Sequence, residues 1–208
     1  MYESFTASDF EVIPDCISDS DISEPVNENV EYAVVMRSRL GDHSLVYCAE
    51  VDGVDPKKYR TPHSDLSAFV ELKTNKSLDT DRDIFNLHKY KMMKWWGQSY
   101  LVGIPTVICG FRDSSGIVHS LKAFQVDSLP SVGKEHWKPQ IMKYFLSDFL
   151  AFIKKQVLID DPKVVYKFER KANGGHIICK YLGKDPNWSF LPQWYYKEIF
   201  QTQTELSK

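Results

Sequence analysis

Two short charged triplets, Glu50-Val51-Asp52 and Glu71-Leu72-Lys73, hold residue types from which a phosphate-handling site can be built. In an extended strand, side chains two residues apart leave the same face. If both triplets are strands, Glu50 shares a face with Asp52, and Glu71 shares one with Lys73. Side by side they gather three carboxylates and one ammonium around a small volume. Carboxylate oxygens are the ligands that hard divalent cations such as Mg²⁺ take, and a lysine beside them holds a phosphate oxygen or orients a water. Each triplet alone has a plainer reading. The first is also a buried strand running out into the turn Asp52-Gly53-Val54-Asp55, and the second is also a solvated surface strand.

The pairing carries more than either half. An acid-x-acid strand end, then roughly twenty residues, then Glu-x-Lys on another strand, is the pattern of restriction-endonuclease-like phosphodiesterases. There a carboxylate from one strand and a Glu from the next hold metal, and two metals can activate water and neutralise the leaving oxygen. Lys94 and Gln98 lie four apart on an expected helix and so on one side of it. An amide accepts from a water and donates to a phosphate at once, which suits Gln98 to positioning a water. Trp95 and Trp96 read as core rather than as base-stacking platforms. Lys138, Lys143, Tyr144, Lys154 and Lys155 interleave bases with an aromatic, as a nucleic-acid groove or the solvated face of a helix does. The six histidines show no metal-ligand spacing, and no His, Ser or Cys sits in a nucleophile motif.

The elements that must position these residues follow from patterning. Val30 to Arg39 and Ser44 to Val51 read as strands around the turn Leu40-Gly41-Asp42. Gly53 to Asp65 is turn-rich, and Ser67 to Lys73 alternates as a strand. Thr80 to Leu101 is an expected helix whose start suits Asp81 and Asp83, with Phe85, Leu87, Tyr90, Met93 and Trp96 at helical spacing. Gly103-Ile104-Pro105 stops it. Thr106 to Arg112 and Ile117 to Val126 form a hairpin about Asp113-Ser114-Ser115-Gly116. Trp137 to Val157 is a second long helix, Val164 to Arg170 and His176 to Leu182 are another hairpin, and Phe190 to Thr202 is an expected short helix. The fold class is mixed α/β, with hairpins and two long helices on a sheet. Residues 1–208 are expected as one domain, with 1–29 acidic and partly loop.

The chain has 208 residues, a net charge of -2 and twelve Phe, eleven Tyr and five Trp, the composition of an ordinary globular domain. It is not globally basic. Met1 to Glu31 carries nine Asp or Glu and no Lys or Arg, so a nucleic acid would bind the body of the chain. Cys16, Cys48, Cys109 and Cys179 form no C-x-x-C pair, which argues against a zinc site or a disulfide framework, and Cys109 reads as a core thiol. No secretory signal or membrane-length apolar run is present. An intracellular, reduced compartment is expected.

Taken together, Glu-Val-Asp at 50–52, Glu-Leu-Lys-Thr at 71–74, Lys-Trp-Trp-Gly-Gln-Ser-Tyr-Leu-Val-Gly-Ile-Pro at 94–105 and Cys-Gly-Phe-Arg-Asp at 109–113 closely resemble the DXO family. Pro25-Val26-Asn27-Glu28-Asn29 is similar to it as well. These are eukaryotic mRNA decapping and 5′-3′ exoribonucleases, among them the stimulatory partner of the nuclear 5′-3′ exoribonuclease. The resemblance implies a restriction-endonuclease-like nuclease core with a mixed, mostly antiparallel sheet. It implies a decapping hydrolase that uses Mg²⁺ or Mn²⁺, two ions, on RNA 5′ ends. Such enzymes remove incompletely methylated caps, NAD caps or 5′ triphosphates, and some then degrade the RNA 5′ to 3′. Carried over, Glu50, Asp52 and Glu71 match metal ligands, the Leu72 carbonyl matches a further ligand, and Lys73 and Gln98 match contacts to the scissile phosphate and its water. Glu50, Lys73 and Gln98 are thereby also substrate-binding. The nucleus is the favoured compartment, with the cytoplasm second, and no membrane is involved.

The family's domain is longer, and its further part, with an arginine motif and a Gly-x-x-x-Glu-like motif, is expected before this chain begins. Met1-Tyr2-Glu3-Ser4 matches the end of the second motif, with Glu3 as its acid, although the Gly is absent and a ligand so near a terminus is poorly held. Losing part of a sheet is expected to expose apolar surface. Two alternatives stand beside the hydrolase: a non-catalytic partner of RNA ends or of an exoribonuclease, and a DNA nuclease of the wider fold group.

Overall fold

Strands β4 (Phe69–Lys76) and β5 (Thr106–Arg112) run parallel, so the chain between them has to cross back over the sheet, and it does so as a helix. The computed structural model describes residues 31–55, 57–58, 66–189 and 191–200. The acidic start with Glu3 and Pro25 to Asn29, and most of the turn-rich stretch after Pro56, lie outside the described residues. Two compact units divide the chain, Met1–Ser147 and Asp148–Lys208.

In the first unit, β1 (Ala33–Leu40) and β2 (His43–Glu50) form an antiparallel hairpin. Gly41 supplies the positive φ, 56°, that so short a turn needs. This hairpin is a sheet of its own. The second sheet has the order β3 (Gly53–Val54), β4, β5, β6 (Val118–Gln125), antiparallel except at the β4–β5 pair. The β5–β6 turn is held by Asp113, whose Oδ1 accepts from the N–H groups of Ser115 and Ile117 at 2.8 and 3.0 Å and whose Oδ2 meets His119 Nε2 at 2.7 Å. The Cys-Gly-Phe-Arg-Asp stretch therefore serves as strand and turn, and Cys109 is fully buried, with burial pushing its thiol up to about 11.

The crossover, expected as one helix, is three segments: α1 (Asp81–Asn86), a π turn (Leu87–Lys91) and α2 (Met92–Val102). Thr80 and Asp83 close a capping box at its start, each side chain bonded to the other's N–H. At its end Gly103 takes φ 81°, and its N–H donates to the Ser99 carbonyl at 2.9 Å. Leu87, Met92, Trp95 and Trp96 pack on Val107, Cys109 and Phe124 of the sheet, with Leu129 and Trp137 from the segments that follow. Val102 and Ile104 join a second cluster with Phe69, Val54, Val51 and Val34.

Those two clusters fix the direction of the helix. Its end at Val102 lies with Phe69 at the start of β4, and its beginning at Leu87 lies with Phe111, level in register with Asn75 towards the end of β4. Helix and strand run antiparallel. After β6 come a 3₁₀ turn (Val126–Ser128), α3 (Leu129–Val132), which sequence patterning did not foresee, and α4 (Pro139–Gln156). Ile141, Tyr144 and Phe145 of α4 are exposed.

The second unit takes up the end of α4 and adds the antiparallel hairpin β7 (Val165–Glu169) and β8 (Ile178–Gly183). Phe149 and Phe152 meet the ring of Phe168 edge-on. α5 (Gln193–Tyr195) begins a short helical tail. Among the described residues the strands thus fall into three sheets rather than one. Met92→Ala should cost about 2–5 kcal/mol in urea unfolding, because it empties a site with 1 % exposure. Val35→Ala, at 76 % exposure, should stay within about 0.5 kcal/mol.

Candidate active site

Glu71 lies on a face of β4 that should be apolar. Its register partner on β5 is Val107, and that of Lys73 is Cys109, both with no exposure. Glu71 itself is 8 % exposed. A carboxylate in such a place needs partners. Lys73, two residues on, supplies the first, with Nζ 2.5 Å from Glu71 Oε1. That contact confirms the alternation expected from the triplet.

Asp52 reaches the same place from the neighbouring strand. β2 ends at Glu50, so Val51 and Asp52 belong to the connection and not to a strand. Asp52 is therefore not in a strand as expected, and a different constraint sets it. β3 pairs Gly53 with Val70, which brings Asp52 beside Glu71. The N–H of Leu72 donates to Asp52 Oδ2 at 2.7 Å, a short charge-assisted bond. Leu72 thereby enters the site through its N–H. Val51, 4 % exposed, pins the connection in the second core cluster, and its N–H donates to the Tyr32 carbonyl at 2.9 Å.

The electrostatics record the crowding. Burial pushes the Glu71 carboxyl above its ordinary value, the hydrogen bond and charge of Lys73 oppose this, and the negative charges of Asp52 and, more weakly, Glu50 add to the rise. At Glu71 the fields of two further carboxylates and of the Lys73 ammonium meet. This donor set fits a hard divalent cation in charge and in oxygen chemistry, and Asp52 and Glu71 are the pair whose repulsion a cation relieves. Among the described residues, however, no group of three His, Cys, Asp or Glu side chains is placed so that it could hold an ion as it stands. Glu71 is engaged with Lys73 instead.

Gln98 is exposed on α2, as is Lys94 four residues before it. Among the described residues, no hydrogen bond joins it to the carboxylates. It lies four residues before Val102, whose cluster includes Phe69 at the start of β4. Trp95 and Trp96 are buried, as expected of core. Lys138, Tyr144, Lys154 and Lys155 are exposed, and Lys143 lies 5.5 Å from the ring centroid of Tyr100. Glu3 lies outside the described residues.

Sequence reading stopped at Lys73 and missed the next residue on the same face, Asn75. It is 6 % exposed, and its Oδ1 accepts from Lys91 Nζ at 2.5 Å. The signal was available as the continued alternation Glu71-x-Lys73-x-Asn75. Lys91 had a weaker one, a spacing of seven residues from Gln98 on the same helix.

Known proteins resemble the chain in sequence and in fold. A family model described as RAI1 like PD-(D/E)XK nuclease matches residues 5–196. The chain is 37% identical over 191 residues to the decapping and exoribonuclease protein of Mus musculus, covering 90% of this chain and 47% of that protein. It spans about half the length of the curated relatives it matches. Among solved structures it is similar to Rai1 of Scheffersomyces stipitis in complex with (3′-NADP)⁺ and calcium ion, with TM-score 0.69 and 22% identity over 86% of this chain and 46% of that one. It is also similar to Rai1 of Candida albicans in complex with pU5-Mn²⁺, with TM-score 0.66 and 19% identity over 82% of this chain and 45% of that one. At these identities the structures speak for the fold.

Two outcomes test the site itself. Glu71→Gln should raise the melting temperature of the metal-free protein near neutral pH, since it removes a buried charge crowded by Asp52 and Glu50. That gain should shrink as the pH falls, because the raised carboxyl of the unsubstituted chain then takes up its proton. Mn²⁺ at a hundred times its Kd should stabilise the chain by about 2.7 kcal/mol and leave Glu71→Gln, Asp52→Asn nearly unchanged in a thermal melt.

Proposed function

The chain belongs to the RAI1-like family of PD-(D/E)XK nucleases, and on that premise we propose that it is a metal-dependent hydrolase of RNA 5′ ends. PD-(D/E)XK nucleases use divalent metals. The observation that carries the proposal is the buried Glu71 beside Asp52, two carboxylates in one field with Lys73 against them. Crowded carboxylates raise the cost of keeping Glu71 ionised, and a cation between them would relieve it.

In this reading Glu50, Asp52, Glu71 and the carbonyl of Leu72 hold Mg²⁺ or Mn²⁺, two ions, with Glu3 as a further ligand. The bound ions supply Lewis-acid polarisation of the phosphate and a lowered pKa for water. The remaining work falls to the chain. Lys73 neutralises a phosphate oxygen, and Gln98 accepts from the attacking water and donates to the phosphate. The Leu72 N–H holds Asp52 in place, so this carboxylate is positioned before the reaction. Incompletely methylated caps, NAD caps and 5′ triphosphates are the proposed substrates, with 5′-3′ degradation after them. The ligands of the similar structures, (3′-NADP)⁺ and pU5 with Mn²⁺, are of that chemistry.

A second reading has its own support. Among the described residues, no three carboxylates stand in ligand geometry. A non-catalytic partner of RNA ends, or of a nuclear 5′-3′ exoribonuclease, would not need that geometry. Incubating capped, NAD-capped and 5′-triphosphate RNAs with the chain and Mn²⁺ or Mg²⁺ separates the two. A hydrolase should release product at least about a hundredfold faster than Glu71→Ala, Asp52→Ala, the order seen when one transition-state-stabilising group is lost. Equal product from both chains would sink the hydrolase reading. A DNA strand in the same assay decides whether the sugar matters.

A further inference from the structure

Among the described residues, Lys91 presents an ammonium without a counter-charge in ion-pair distance. It is half-buried. Its bonded partner among the described residues is neutral: Asn75 Oδ1 accepts from its Nζ at 2.5 Å. Asn75 is itself held, because its Nδ2 donates to the Lys76 carbonyl at 2.5 Å. Removing an ammonium from bulk water without pairing it is costly, and fixing it through a buried amide adds side-chain entropy to that cost.

The place of this ammonium is informative. Asn75 follows Lys73 on the same face of β4, about 7 Å further along the strand. The ammonium also acts on the Cys109 thiol, and Cys109 is the register partner of Lys73. Lys91 closes the π turn in the crossover helix, and π turns inside helices concentrate at functional sites. The result is a column, Glu71–Lys73–Asn75 on the strand and Gln98–Lys94–Lys91 on the antiparallel helix, negative at one end and positive towards the other.

We infer that Lys91, positioned by Asn75, binds the phosphate next to the one held at Lys73, so that the column reads two successive phosphates of one RNA strand. The inference rests on the RNA 5′-end reading and extends it. The step of about 7 Å along β4 suits internucleotide phosphates, which are separated by a whole sugar. The phosphates of a cap or triphosphate share a bridging oxygen and are closer together. Lys91 is a binding residue and takes no proton in the reaction.

The test is equilibrium binding of the whole chain in Ca²⁺ and in EDTA. The 3′-labelled probes are a 5′-phosphorylated pentaribonucleotide, a dinucleotide with one internucleotide phosphate and a 5′-triphosphorylated mononucleotide. Lys91→Gln should weaken the pentamer and the dinucleotide about tenfold, lower the salt slope by about one ion and leave the triphosphate mononucleotide unchanged. Lys91→Arg should restore binding. Asn75→Asp keeps the ammonium but gives it a carboxylate, and it should reproduce the loss without deleting the lysine. Unchanged affinity and slope in both Lys91→Gln and Asn75→Asp overturn the inference, and loss confined to the triphosphate probe assigns Lys91 to the cap side and overturns it too. If the unsubstituted chain binds none of the probes, the RNA-end reading fails, and the inference with it.

Discussion

One constraint organises the first unit: a carboxylate is placed where the packing calls for a hydrophobe. Glu71 stands on the helix-facing side of β4 among Val107, Cys109 and the buried tryptophans, and the surrounding structure answers the cost of putting it there. Lys73 has to follow at the two-residue period to reach it. The β3–β4 pairing has to bring Asp52 alongside, and the Leu72 N–H has to hold that second charge. The helix has to cross back over the parallel strands to close the apolar side. Removing Glu71 would relax each of these demands together.

Much of this was legible in the residues. The Glu71-Leu72-Lys73 alternation needs only the strand period, and the hairpin turns at Gly41 and at Asp113 to Gly116 carry their own chemistry. Thr80 and Asp83 mark the helix start by a local rule, and Gly103 marks its end by another. What escaped depended on contacts distant in sequence. Asp52 was expected in a strand because it follows an apolar run, yet its position is set by a bond to a backbone twenty residues away. The π turn left no mark in the hydrophobic spacing, since Leu87 and Trp96 are buried with or without it. Asn75 was passed over because a buried amide looks like any polar residue until its partner is known.

The two core clusters divide the labour. The one around Val34, Val51, Val54 and Phe69 fixes the strand ends from which the acids project. The other, around Met92, Trp95, Trp96 and Leu129, fixes the helix. The acidic end of the column thus depends on the first cluster and the cationic end on the second. A substitution in one therefore acts on the charges of that end without first disturbing the other. The Glu-Val-Asp triplet owes its place to the buried Val51 between its acids as much as to the acids themselves.

The antiparallel helix and strand also carry two rulers of different pitch. A strand advances about 3.3 Å per residue and a helix about 1.5 Å, so one graduation on the strand face, two residues, corresponds to four or five on the helix. Glu71, Lys73 and Asn75 are evenly graduated, whereas Gln98, Lys94 and Lys91 are spaced by four and then by three. The pair works as a vernier. An insertion in β4 would turn every side chain beyond it to the wrong face, but the extra residue of a π turn shifts the helical scale by a fraction of a strand step. In this fold the strand is the fixed scale, and the wide turn ending at Lys91 is its fine adjustment.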